Sequence, residues 1–163
     1  MRRDLFVRFF HSLFALGLVA NYWLLEPGEE LHEWVGWAIA VAIVLRVIWG
    51  WWRPAWSRVG RLQFFPMRLL LTDVRSLADG YAEQEQHSVA GSWMIVLMFA
   101  LAAALILTGW MQDLDAYWGE EWLQDLHLWL GHGLAIAAGT HIAAVLIIQF
   151  RHGAPLVNRL WFG

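Results

Sequence analysis

Four long apolar runs dominate the chain, about Leu5–Leu25, Leu31–Trp52, Val89–Trp110 and Trp122–Phe150. Each has the roughly 20 residues that a helix needs to cross the hydrocarbon core of a bilayer. In lipid the backbone must satisfy its own hydrogen bonds, which leaves helices as the solution for such runs. The expected fold class is therefore all-α, a membrane four-helix bundle forming one domain over residues 1–163. The fourth run is long enough to tilt or to extend beyond the lipid. Composition agrees: the 163 residues are 60% hydrophobic and only 15% charged, whereas soluble domains are about half apolar and a quarter charged. Arg2 and Arg3 before an apolar stretch resemble a secretory signal, but Leu16–Tyr22 lacks a small-x-small cleavage site and Asn21-Tyr22-Trp23 is bulky. The first run is read as a mature span.

Charge orients the spans. All eleven basic residues are arginines (Arg2, Arg3, Arg8, Arg46, Arg53, Arg58, Arg61, Arg68, Arg75, Arg151 and Arg159), and they fall at the two termini and around the second loop. The other two loops and the helix starts beside them hold Glu26, Glu29, Glu30, Glu33, Asp113, Asp115, Glu120, Glu121 and Asp125, with no Arg or Lys. Basic residues collect on the cytoplasmic side, so both termini are expected in the cytoplasm and the chain in a bacterial inner membrane. The net charge of −3 gives no basic field for phosphates and argues against a nucleic-acid partner. Between the second and third runs, Pro66–Gly80 sets Met67, Leu70, Leu71, Val74, Leu77 and Ala78 at helical spacing opposite Arg68, Asp73, Arg75 and Asp79. It reads as an additional amphipathic helix on the cytoplasmic interface, or as a helix packed on a partner subunit.

Ionisable groups inside a bilayer are costly and point to function. His127 and His141 are 14 residues apart, about 40° short of four whole turns and about 21 Å along a helix axis, so they share one face at different depths. His132 lies about 140° from His127 and about 180° from His141 on the same helix and cannot join that face. The antiparallel course of the spans pairs His32 with His127 by depth near the outer side, and His11 with His141 near the inner side. Two facing His pairs suit axial ligation of two b-type haems within a four-helix bundle. There is no cysteine, which excludes thiolate sites and a Cys-x-x-Cys-His attachment, so haem would be bound noncovalently. A single zinc site is the rival, but zinc takes three or four converging ligands and the two histidines of the fourth span are too far apart. Gly36 and Gly131 each follow a candidate ligand by four residues, leaving room beside it for a flat macrocycle. Arg8 and Arg46 are candidates to neutralise propionates or hold a quinone headgroup, with lipid contact as the alternative. His87 is a reserve ligand opposite His141, or a residue lining a quinone or proton path, or an interfacial histidine. His132 reads as a helix-contact residue or hydrogen-bond donor, and His152 as a headgroup contact.

Taken in order, Arg8-Phe-Phe-His11, Leu31-His-Glu-Trp-Val-Gly36, Leu45-Arg-Val-Ile-Trp-Gly50, His87-Ser-Val-Ala-Gly91, Thr108-Gly109-Trp110, Leu126-His127, Thr140-His141 and Leu156-Val-Asn-Arg-Leu resemble the prokaryotic cytochrome b561 family. They resemble in particular the branch that includes the b-type cytochrome subunits of nickel–iron hydrogenases, and the resemblance covers almost the whole chain. It implies a membrane electron carrier with two b haems, their ligands falling on His11, His32, His127 and His141, and a traffic of electrons between a quinone pool and a redox partner. The chain departs from the family pattern at Leu128, where an acidic residue often stands, at His87-Ser-Val in place of His-Asn-Pro, and at Arg151-His-Gly-Ala-Pro before the tail motif.

The resulting expectation is a dihaem electron-transfer subunit in contact with lipid and quinone. Its acidic outer face would meet a c-type cytochrome or a hydrogenase-like subunit, and the sequence leaves an oligomer open. The alternatives are a stand-alone quinone or superoxide oxidoreductase, and a haem-free membrane anchor.

Overall fold

The computed structural model describes residues 5–52 and 89–152. The helix expected over Pro66–Gly80 and the reserve ligand His87 lie outside these residues. Helix α1, Leu5–Val19, runs into a π-helical turn, Ala20–Leu24; α2 is Glu30–Trp52, α3 is Val89–Gln112 and α4 is Glu121–His152. These bounds lie within two residues of the four expected spans, and no strand occurs among the described residues.

Helix starts follow local chemistry. The connection into α2 turns at Gly28, whose φ of 81° is accessible to glycine at little cost, and Glu29 N–H donates to Glu26 O at 3.2 Å. Gly119, with φ 79°, turns the chain ahead of α4. Glu30 and Glu33 occupy the first turn of α2 and Glu121 that of α4, where carboxylates complement the positive end of the helix dipole. Both acidic connections therefore lie at one end of the bundle, the acidic end, and Arg8, Arg46 and Arg151 lie toward the other.

All four long helices are apolar enough to span a bilayer, yet only between 6% and 17% of each most apolar window is buried within the protein. Side chains such as Leu5, Leu16, Trp23, Trp129, Ile136 and Phe150 face outward, so lipid is the medium that covers them. The protein is a multi-pass membrane protein, with four such helices among the described residues.

The helices pack in chain order, α1 on α2, α2 on α3 and, most extensively, α3 on α4, whereas α4 barely approaches α1 and α2. At Gly17 the first two helices come so close that an added Cβ would stand 2.8 Å from Ile39 Cδ1. One buried cluster, Phe10, Phe14, Ala42, Ala102 and Leu134, joins the four helices. Leu134 is seven residues from both His127 and His141, about 10 Å along the axis from each and within about 20° of their face. The cluster thus forms an apolar waist midway between the two histidine levels.

Candidate functional site

At the acidic end, the first turn of α2 carries His32 and the second turn of α4 carries His127. Their ring centroids are 6.2 Å apart, with planes inclined at 59°. Two imidazoles on opposite sides of one metal ion, each bonded at about 2.0 Å, have ring centres roughly 6 to 6.5 Å apart. The centroid separation of the pair falls in this range, although α2 and α4 otherwise scarcely touch.

Thr108 on α3 orients one of these rings. Its hydroxyl donates back to the helix, with Oγ1 2.9 Å from Ala104 O and 3.1 Å from Leu105 O, and the same oxygen is 2.9 Å from His127 Nδ1. A threonine has one hydroxyl proton. With that proton directed at backbone carbonyls, Oγ1 accepts from His127, which carries its proton on Nδ1. Nε2 keeps its lone pair for a ligand. Thr108 is buried, and Gly109 beside it leaves room for the ring, since an added Cβ would stand 3.4 Å from His127 Cε1. On the facing helix, Asn21 Nδ2 in the π-helical turn donates to His32 O at 3.1 Å. His32 Nδ1 is buried without a protein hydrogen-bond partner, so this imidazole's capacity is not spent on the fold.

Toward the other end, His11 on α1 and His141 on α4 are close enough to interact electrostatically. His11 Nδ1 donates to Val7 O at 2.8 Å, an acceptor-only partner that again leaves Nε2 its lone pair. Both pairs draw on α4, on either side of the waist at Leu134.

The remaining expected residues divide. An added Cβ at Gly131 would meet nothing within 4 Å, and one at Gly36 only Asn21 Nδ2 at 3.9 Å, so space is open beside both. Arg8 and Arg46 are half-buried toward the arginine end. His132 stands apart from both pairs; a 2.6 Å hydrogen bond joins its Nδ1 to Tyr22 Oη and ties the end of α1 to α4, with Trp129 edge-on to the imidazole. Among the described residues no three His, Asp or Glu side chains form a metal-binding group, so the arrangement is one of pairs. Sequence reasoning did not single out the contacts of Thr108, Gly109, Asn21 and Tyr22. Thr108 had a visible signal, as the one polar side chain between Trp93 and Gly109.

The profile of a protein family described as prokaryotic cytochrome b561 matches residues 2–163. The chain belongs to the prokaryotic cytochrome b561 family. Membership makes it a membrane cytochrome of b type and implies haem binding, consistent with a role in electron transfer. No match was found among curated proteins or among solved structures. The residues present fit the cytochrome's prosthetic group: facing imidazoles at coordinating separation, two rings with Nδ1 committed as donor, an orphaned nitrogen on His32, and open backbone at Gly36 and Gly131 are what noncovalent haem needs.

Proposed function

We propose that this cytochrome b561 carries single electrons across a bacterial inner membrane, between a quinone pool and a redox partner protein, with two b haems bound per chain. His32 and His127 hold one haem at the acidic end; His11 and His141 hold the other toward the arginine end. The observation that carries the reading is the 6.2 Å facing of His32 and His127, matched by a second His pair that shares the α4 face 14 residues further on. Bound there, haem supplies reversible one-electron oxidation and reduction of iron.

The chain's own residues bind, orient and shield. Thr108 and the Val7 carbonyl fix the rings of His127 and His11. The waist of Phe10, Phe14, Ala42, Ala102 and Leu134 keeps water from the space between the two levels. Arg8 and Arg46 offer guanidinium groups to propionates or to a quinone headgroup at the arginine end. The nine carboxylates of the acidic end face the outer side and attract the basic face of a c-type cytochrome or hydrogenase-like subunit. The eleven arginines put both termini in the cytoplasm.

Pyridine haemochrome quantitation on the purified chain tests this reading. About two b haems per chain are expected, falling to about one in His127→Ala or His11→Ala and staying at two in His132→Ala, because each lost axial ligand empties one site. A folded wild-type protein with one haem or none overturns the dihaem assignment.

A further inference from the structure

Of the two imidazoles whose Nδ1 is committed, His11 donates to the main-chain carbonyl of Val7, a partner that no side-chain substitution removes. His127 Nδ1 instead pairs with the hydroxyl of Thr108, on a different helix, at 2.9 Å. That threonine is 5% exposed and is the one buried polar residue among those described. Its hydroxyl proton is already engaged by α3's own carbonyls at 2.9 and 3.1 Å, so towards His127 it acts as a fixed acceptor. Gly109 lies against the same ring: a Cβ there would stand in van der Waals contact with His127 Cε1, at 3.4 Å. Thr108-Gly109 is thus a seat for one particular imidazole, built on the helix that packs most closely on α4.

We infer that Thr108 is the positioning residue of the acidic-end haem, setting the tautomer and ring plane of His127 and the basicity of its Nε2. The inference rests on the assignment of His127 as an axial ligand. An imidazole whose Nδ1–H is held by an acceptor is a stronger donor at Nε2 and stabilises the more highly charged ferric state. Thr108 therefore lowers the potential of this haem and leaves the other, anchored through Val7, untouched. An acceptor of this kind is commonly worth 10- to 100-fold in metal affinity when removed.

The test compares wild type, Thr108→Val and Thr108→Ser in the haem-loaded full chain by redox titration, electron paramagnetic resonance of the ferric state, and haem retention against an apo-globin acceptor. In Thr108→Val one haem is expected to shift to higher potential with altered g-values and to be lost about 10- to 100-fold faster, while the second keeps its wild-type values. Thr108→Ser, which retains the hydroxyl, is expected to restore the first haem towards wild type. If Thr108→Val does not assemble, Thr108→Ala removes the same hydroxyl without a second methyl group and is read in the same way. Two haems with unchanged potentials and g-values in the hydroxyl-free variant overturn the role of Thr108 and leave the dihaem reading standing. Equal shifts at both haems, or shifts that Thr108→Ser does not reverse, also overturn it, because they report general loosening. A wild-type chain without haem overturns the underlying ligand assignment instead.

Discussion

Tyr22 and His132 show how a single polar contact differs from a cofactor site in this chain. Their 2.6 Å hydrogen bond joins the π-helical turn that follows α1 to α4, and α1 and α4, which contribute His11 and His141, otherwise scarcely meet. Hydrogen bonds between membrane helices are worth only about 0.6 kcal/mol on average, up to about 2 kcal/mol, because the separated helices also find partners. Tyr22→Phe is expected to lower stability by about 1 kcal/mol in a detergent unfolding titration while the haem content stays that of the wild type. Loss of a haem from this variant would show that the contact holds a ligand and not merely two helices. At this scale the sequence displayed the histidines, which stand out in apolar spans. It did not display their hydrogen-bond partners: the carbonyl of Val7 is anonymous main chain, and the Thr108 hydroxyl acquires meaning only once α3 and α4 are side by side.

Among the elements, α1 and α2 depend on close approach. Lipid tails are as apolar as leucine, so membrane helices associate through packing, and small residues at the contact let them come near. Gly17 is buried against Ile39, with a hypothetical Cβ 2.8 Å from Cδ1 and 3.0 Å from Cγ1. Gly17→Ala meets the flexible end of the Ile39 side chain and is expected to cost about 1 kcal/mol or less. Gly17→Leu forces the helices apart, and an overpacking penalty of about 1–3 kcal/mol is expected, read as a lower midpoint of thermal unfolding in detergent. Equal stability of Gly17→Leu and wild type would remove this contact from the account. Helix existence and bounds were legible because runs of about 20 apolar residues have few alternatives. The π-helical turn Ala20–Leu24, closed by Leu25 N–H donating to Ala20 O at 2.9 Å, was not. Nothing in Ala-Asn-Tyr-Trp-Leu distinguishes a wider turn from an ordinary one, and the reward for it, Asn21 on His32 O and Tyr22 on His132, lies on other helices.

For the whole molecule, charge asymmetry supplies the orientation proposed above, and the lack of native cysteine makes it easy to test. Asp115→Cys, in the loop before α4, is expected to react with a membrane-impermeant maleimide added to intact spheroplasts, whereas Met1→Cys placed behind a new start residue is expected to react only after lysis. The reverse pattern would invert the proposed topology and put the nine carboxylates on the cytoplasmic side.

The sequence alone determined the four spans, the grouping of arginines and carboxylates at opposite ends, and the placement of His127 and His141 on one helical face, because hydrophobic length, charge bias and a 100° helical step act along a single chain. Tertiary structure decided which groups meet across the gap. It set the ring centroids of His32 and His127 at 6.2 Å, placed Leu134 in a waist with Phe10 and Phe14, and brought the Thr108 hydroxyl within 2.9 Å of His127 Nδ1. Those contacts depend on how the helices pack on one another, and helix packing in lipid is fixed by the fit of facing side chains, which no single span carries by itself.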